Sequence, residues 1–216
     1  MLSIKELTDE IIAYCDKIGV DIVGFGDPTN FNTSQKKHKP TSFLKNSKTV
    51  IVIGFHLYDL GLDAWSKDKM KDKNYHFADS ILVNQCHKIK SFLAKKGFKS
   101  KISPYEPGLY LKDAAALAGM GPIGKNNLLI TKKFGSQVRL RALVTEAELS
   151  YGSPIRESEH CKKCNICINA CPAGALEGGK YHIGLCYKYC LENLRNLSDD
   201  TVLWCNICIE ACPIGK

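Results

Sequence analysis

Residues 161–172 read Cys-Lys-Lys-Cys-Asn-Ile-Cys-Ile-Asn-Ala-Cys-Pro, and residues 205–213 read Cys-Asn-Ile-Cys-Ile-Glu-Ala-Cys-Pro. The last nine residues of the first stretch return in the second, and only Asn169 and Glu210 differ. An internal repeat of this kind indicates two similar sites built from one supersecondary unit. The C-terminal part of the chain is therefore predicted to be a small module with two related halves.

The cysteines of this module are predicted to bind metal. Nine of the eleven cysteines lie within residues 161–212, and in a reducing compartment such a concentration favours metal ligands over disulfides. The first stretch has the spacing Cys-x2-Cys-x2-Cys-x3-Cys-Pro, in which bacterial ferredoxins bind three irons of one 4Fe-4S cubane and give the fourth cysteine to the other cluster. Zinc ribbons also use Cys-x2-Cys pairs, but the additional cysteine in each stretch and the two Cys-Pro endings favour iron-sulfur clusters.

The two halves differ in one ligand position. Val202 stands where the repeat would place a partner for Cys161, so the second cluster needs a cysteine inserted between the halves, either Cys186 or Cys190. The predicted ligands of the first cluster are Cys161, Cys164, Cys167 and Cys212. Those of the second are Cys171, Cys205, Cys208 and the inserted cysteine. Cys15 and Cys86 lie on apolar helical stripes and are predicted to be core thiols.

Hydrophobic periodicity upstream of the cysteines predicts a mixture of helices and strands. Amphipathic helices are expected before Gly19 and before Gly97, both in the position of a C-terminal capping glycine. Strands are expected at residues 20–26, 50–55, 128–131 and 138–144. In the last of these strands, Arg139 and Arg141 alternate with apolar residues, which predicts a solvated face.

This pattern predicts the fold class and the domain organisation. We expect an α/β (α+β) N-terminal domain over residues 1–150, a linker at residues 151–159, and a C-terminal bacterial ferredoxin-like double 4Fe-4S module within residues 151–216.

Composition and charge say more about where the protein is located than about what it binds. The formal net charge of +8 falls to about +4 if eight thiolates hold two clusters of charge about −2 each. The lysines are scattered, so charge alone does not indicate nucleic acid. No apolar run approaches the length of a membrane span, and the N-terminus carries charges where a signal peptide is apolar. A cytoplasmic protein without membrane association is expected.

The loop from Gly119 to Asn126 matches the dinucleotide pattern G-x-G-x-x-G and nearly matches a P-loop. Both motifs need a strand before the loop and a helix after it, whereas here a helix is predicted before and a strand after. The hydroxyl that binds magnesium in a P-loop is also replaced by Asn126. The loop is predicted either to admit a bulky ligand close to the backbone or to be a structural turn.

Several blocks of sequence together resemble the epoxyqueuosine reductase family, which is related to the reductive dehalogenases. The most specific blocks are the glycine loop Ala118-Gly-Met-Gly-Pro-Ile-Gly-Lys-Asn126 and the cysteine run with Cys186 between its halves. The other blocks are Ile18-Gly-Val-Asp-Ile-Val-Gly-Phe25, Lys48-Thr-Val-Ile-Val-Ile-Gly54, Tyr75-His76 and Gly135-Ser136.

The resemblance implies a corrinoid cofactor. That family binds base-off cobalamin and passes electrons through its clusters to make Co(I). The resemblance also makes Cys186, rather than Cys190, the inserted cluster ligand. The residues expected to border the corrinoid are Gly119, Met120, Gly121, Pro122, Ile123, Gly124, Lys125, Asn126, Asn127, Gly135 and Ser136.

The chain departs from the family at the catalytic position. Tyr105-Glu106-Pro107 stands where the family has an Asp-Thr-Gly segment with the catalytic aspartate. Tyr105 or Glu106 could supply the proton instead, or Tyr105 could simply pack beside Pro104 and Pro107. The chain also stops four residues after Cys212, without the helical-repeat extension of some tRNA-acting members. Both departures weaken a tRNA assignment.

The predicted function is an iron-sulfur, cobalamin-dependent oxidoreductase that takes electrons from a flavodoxin or ferredoxin and acts on a small molecule or a corrinoid. The alternative is an electron-transfer or corrinoid-activating ferredoxin-like protein without substrate turnover of its own. Modification of tRNA is a third and less favoured reading.

Overall fold

The computed structural model describes residues 2–31, 35–68, 73–105, 107–177, 180–194 and 201–215. Two compact units are present, each made of separate stretches of the chain. The first consists of Met1–Phe55, Ile81–Pro122 and Leu140–Arg156, and the second of His56–Ser80, Ile123–Arg139 and Glu157–Lys216. The last stretch of the first unit ends at Arg156, which lies inside the predicted linker. The division into domains 1–150 and 151–216 stays a prediction.

The first unit begins with the predicted amphipathic helix α1 (Ile4–Lys17). Ser3 and Glu6 form a capping box, in which the Ser3 hydroxyl accepts from the Glu6 amide and the Glu6 carboxylate accepts from the Ser3 amide. This exchange satisfies two backbone donors that the helix leaves without partners. Gly19, with a φ of +78°, follows the helix end.

A four-stranded sheet in the order β1-β2-β6-β5 forms the centre of the first unit. Its strands are β1 (Ile22–Gly26), β2 (Thr49–His56), β5 (Ser100–Ile102) and β6 (Val138–Thr145). β1 pairs with β2 and β5 with β6, both antiparallel. Strands and helices in this arrangement confirm the predicted mixed α/β fold class.

Apolar side chains from the sheet and two helices make the core of this unit. α3 (Phe77–Lys95) contributes Leu82, Ile89 and Leu93, and β2 contributes Ile51 and Ile53, all fully buried. Cys15 and Cys86 lie in the same cluster, as predicted for core thiols, and burial raises the pKa of Cys15 to about 12. The helix α4 (Leu111–Leu117) packs against β1.

The second unit contains a short sheet in the order β4-β3-β7, which the periodicity did not predict. β3 (Ala64–Asp68) pairs antiparallel with both β4 (Lys73–His76) and β7 (Thr201–Leu203). The predicted strand at 128–131 is wrong, because only isolated bridges, Ile123 to Leu129 and Thr131 to Gly135, occur there.

The helices of the second unit carry the cysteines. α5 (Ile166–Ala170) contains Cys167, α6 (Ile183–Asn193) contains Cys186 and Cys190, and α7 (Ile207–Glu210) contains Cys208. The remaining short helix, α2 (Pro40–Phe43), belongs to the first unit. α5 and α7 occupy matching positions of the repeat and pack against each other. None of the helices among the described residues is both long and apolar enough to cross a membrane.

Candidate metal centres

Four cysteines line one pocket in the second unit. They are Cys161, Cys164, Cys167 and Cys212, the set that the sequence predicts for the first cluster, and they are called the first cysteine group below. The pocket encloses about 410 Å³, part of it open to solvent. Cys161 ends a short 3-10 turn, Cys167 lies in α5, and Cys212 follows α7. Each half of the repeat therefore contributes a side of the pocket.

The thiols of this group are close enough to influence one another electrostatically. Burial raises the pKa of Cys167, and negative charge on Cys161, Cys164 and Cys212 raises it further. Thiolates in such a position need a cation to be stable together, and a coordinated thiol is deprotonated outright. Among the described residues, no three His, Cys, Asp or Glu side chains converge as a single metal ion would require. The spacing Cys-x2-Cys-x2-Cys-x3-Cys-Pro is what favours an iron-sulfur cluster over one zinc ion in this pocket.

A second cysteine group is formed by Cys171, Cys186, Cys205 and Cys208. Burial raises the pKa of Cys208 to about 12, and charges on Cys205, Cys186, Cys171 and Cys167 contribute. Burial also raises the pKa of Cys205, again with contributions from Cys186 and Cys171. The Ala175 amide donates to the Cys171 sulfur at 3.4 Å. The influence of Cys167 on Cys208 shows that the two groups are neighbours.

Cys186 and Cys190, the two open choices for the eighth ligand, differ in environment although both lie on α6. Cys190 is 0% exposed and packs with Trp65 and Val202, and its sulfur accepts from the Cys205 amide at 3.3 Å. The Cys190 thiol donates to Cys186, which lowers the pKa of Cys186 and raises that of Cys190. These surroundings favour Cys186 over Cys190 as the eighth ligand, and the assignment stays a prediction.

The predicted corrinoid residues are divided between the two units. Gly119, Met120, Gly121 and Pro122 belong to the first, and Ile123, Gly124, Lys125, Asn126, Asn127, Gly135 and Ser136 belong to the second. α4 enters the loop, and no helix follows before β6. The arrangement that a dinucleotide or P-loop site needs is therefore absent from the described residues of this loop.

At two of these positions the backbone conformation and the close packing require glycine. Gly119 has a φ of +75°, and a Cβ there would lie 2.9 Å from the Ser153 carbonyl oxygen. Gly135 has a φ of +53°, and a Cβ there would lie 1.8 Å from the Ile214 carbonyl oxygen. Both positions bring two backbone segments of the same unit into contact, which only glycine permits.

Polar atoms beside Gly124 and Gly135 fit a ligand. Asn126 Nδ2 and Ser136 Oγ are buried and have no hydrogen-bond partner within the described part of the chain. A buried polar atom without a partner costs free energy unless a water or a ligand satisfies it. A corrin ring carries amide groups around its edge, so this donor set is chemically compatible with cobalamin.

Tyr105 is largely exposed and lies beside an arginine. Its side chain is 60% exposed, and its ring lies 5.2 Å from the guanidinium carbon of Arg141. Glu106, the other predicted proton donor, lies outside the described residues.

The arginines of β6 correct the predicted solvated face. Arg141 is only 6% exposed, and it donates to the Ser103 carbonyl oxygen at 3.3 Å. Arg139 forms an ion pair with Asp63, a buried carboxylate. Burial raises the pKa of Asp63, and Arg139 opposes this shift. These pairings join residues far apart in sequence, so the alternation within β6 could not reveal them.

Parts of this chain are similar in sequence to known proteins. A family model for a 4Fe-4S binding domain matches residues 154–177. An epoxyqueuosine reductase from Bacillus anthracis is 25% identical in an alignment of 223 positions that covers 87% of this chain and 57% of the relative. A tetrachloroethene reductive dehalogenase from Dehalobacter restrictus is 36% identical over 103 residues, 47% of this chain and 18% of the relative. This chain is similar to members of both enzyme families.

The fold agrees with these relatives. A crystal structure of an epoxyqueuosine reductase superimposes with a TM-score of 0.74 at 21% identity, covering 97% of this chain and 65% of that one. A catabolic reductive dehalogenase gives 0.73 at 15% identity, covering 99% of this chain and 32% of that one. The resemblance inferred from the motifs is confirmed. The chain spans little more than half the length of the epoxyqueuosine reductase from Bacillus anthracis.

Proposed function

We propose that this protein is an iron-sulfur oxidoreductase in which two 4Fe-4S clusters deliver electrons to bound cobalamin. The observation that carries the proposal is the gathering of eight cysteines into two neighbouring groups of four. The ligands would be Cys161, Cys164, Cys167 and Cys212 for the first cluster, and Cys171, Cys186, Cys205 and Cys208 for the second.

The protein would hold the clusters close together and limit the access of water. Cys171 and Cys212 each follow the helix of one repeat half and join the group of the other half, so the crossing brings the two clusters side by side. The apolar cluster of Trp65, Cys190 and Val202 lies behind Cys186. An apolar shell and amide-to-sulfur hydrogen bonds are the means by which a protein sets a cluster potential.

Cobalamin, when bound, would supply the strongly reducing cobalt centre for the substrate reaction, as in the relatives that the chain resembles. Asn126 and Ser136 would offer hydrogen bonds to it from the second unit. Tyr105 would donate the proton to substrate, and the guanidinium carbon of Arg141 lies 5.2 Å from the centre of its ring. Glu106 is the second candidate for this proton transfer.

The proposed reaction needs an external electron donor and a substrate to reduce. A flavodoxin or ferredoxin would supply electrons one at a time, and a small molecule or a corrinoid would be reduced. One solved relative is an epoxyqueuosine reductase with a tRNA-Tyr stem loop. Transfer RNA stays the less favoured substrate, because Tyr105-Glu106-Pro107 replaces the catalytic aspartate segment.

A second candidate function is electron transfer to a corrinoid held by another protein. It is favoured by the absence of that aspartate segment, in whose place Tyr105-Glu106-Pro107 stands. In this case the clusters would work as proposed, but the chain would have no substrate of its own.

Cobalamin binding decides between these two functions. We expect cob(II)alamin added to anaerobically reconstituted protein to shift to the base-off absorption and EPR spectra at about one equivalent, because the chain would replace the lower-face nitrogen ligand by protein surface. Free cob(II)alamin in the same buffer is the control. If the spectrum of cob(II)alamin stays base-on in the presence of excess protein, the chain does not bind cobalamin. The electron-transfer function is then the one supported.

A further inference from the structure

The side chain of Lys125 is fixed beside the first cysteine group. Lys125 is part of the wall of the pocket that these four cysteines line. Its ammonium donates to Asn165 Oδ1 at 2.9 Å and to the Lys162 carbonyl oxygen at 3.3 Å. Both acceptors lie within the first cysteine stretch. The contacts therefore join the glycine loop to the segment that would wrap the first cluster.

The matching asparagine of the second half has no lysine partner among the described residues. Asn206 occupies the position that corresponds to Asn165, and both begin the short helix that carries a cysteine. Asn206 Oδ1 is buried and has no hydrogen-bond partner in the described parts of the chain. The two halves of the repeat thus differ at this position, where the first half holds a lysine ammonium and the second holds none among the described residues.

We infer that Lys125 raises the reduction potential of the first cluster above that of the second. This inference rests on the proposed function, since it requires a 4Fe-4S cluster in the first cysteine group. One-electron reduction adds one negative charge to the cluster and its thiolates, with no proton needed to balance the step. A fixed ammonium on the pocket wall stabilises that charge, because nearby charge and hydrogen bonding set cluster potentials.

The asymmetry gives the electrons a direction. Between two adjacent clusters that are otherwise similar, an electron moves to the one with the higher potential. The second cluster would then receive electrons from the external donor, and the first would hold them beside the glycine loop. Lys125 is a positioning residue in this account, since it acts through the cluster.

The test is an anaerobic redox titration with dithionite, monitored by EPR, on the parent protein and on Lys125→Met. We expect one of the two reduction steps to move to lower potential by three- to tenfold in the one-electron equilibrium, which is about 28 to 59 mV at 59 mV per tenfold. Lys125→Arg, which keeps the positive charge, should leave the potential of that step close to its value in the parent protein. Lys132→Met, which removes an exposed lysine that is not among the residues lining the pocket, should move neither step.

The internal repeat supplies a second matched pair. Asn165→Ala removes the acceptor that holds the ammonium and should move the same step in the same direction, whereas Asn206→Ala should not lower it. Shifts below threefold in both Lys125→Met and Asn165→Ala, at the parent's iron content, would overturn the inference. If Lys125→Met fails to retain iron, Asn165→Ala decides alone. A parent protein without two reducible clusters would instead overturn the proposed function.

Discussion

Cys186→Ala is expected to lose about half of the bound iron, whereas Cys190→Ala should keep about all of it. Cys186 has its pKa lowered by the Cys190 thiol and acts electrostatically on Cys205 and Cys208. Cys190 is enclosed by Trp65 and Val202 and receives the Cys205 amide. Removal of a ligand abolishes a cluster, while removal of a supporting thiol leaves the ligand set intact.

The pair is well matched because the two cysteines lie four residues apart on one face of α6. Iron and acid-labile sulfide per chain, measured on anaerobically reconstituted protein, give the result directly. Reduced EPR spectra should show one cluster signal in Cys186→Ala and two in Cys190→Ala. The opposite pattern, with iron lost only from Cys190→Ala, would make Cys190 the eighth ligand.

Gly135→Ala is expected to destabilise the protein strongly and to release the first cluster. A Cβ at Gly135 would lie 1.8 Å from the Ile214 carbonyl oxygen, and a Cβ at Gly215 would lie 2.0 Å from the Gly135 nitrogen. The two backbones therefore cannot keep this approach once a methyl group separates them. Ile214 is two residues after Cys212, so the displacement would reach a predicted ligand of the first cluster.

Gly97→Ala is the matched control for this prediction. Gly97 also has a positive φ, +85°, but no atom lies within 4 Å of the place where its Cβ would stand. Gly97→Ala should lower the free energy of unfolding only by the backbone strain of about 1 kcal/mol. For a chain of this size, that lowers Tm by about 2–4 °C. Gly135→Ala should lower Tm by more than about 10 °C, since collision with fixed backbone belongs to the large-effect class. Equal shifts in anaerobic thermal unfolding would contradict the proposed close contact.

Local sequence patterns predicted the parts of the fold that depend on local periodicity. α1 and α3 have apolar stripes and terminal glycines, and β1 and β2 are short apolar runs, so each was recognisable by itself. The small sheet of the second unit could not be found in this way. Its strand β7 pairs with β3 across more than 130 residues, and neither strand has a long apolar pattern. Pairing over such a distance depends on tertiary contacts that periodicity does not express.

The cysteine groups were predictable for a different reason. A repeated spacing of ligands is a chemical constraint that does not depend on the surrounding fold, so grouping by motif needed no knowledge of packing. The roles of Lys125 and Arg141 could not be seen, because each depends on a partner that folding brings near. The sequence placed Lys125 in the glycine loop and among the residues expected to border a corrinoid, while its contacts are with Asn165 and the Lys162 carbonyl.

Quantitative iron, sulfide and zinc analysis of protein reconstituted without oxygen, together with Mössbauer spectra, tests the central claim most directly. Two cubanes predict about eight irons and about eight sulfides per chain, in the 4Fe-4S state. Tightly bound zinc, or about four irons per chain, would contradict the presence of two clusters.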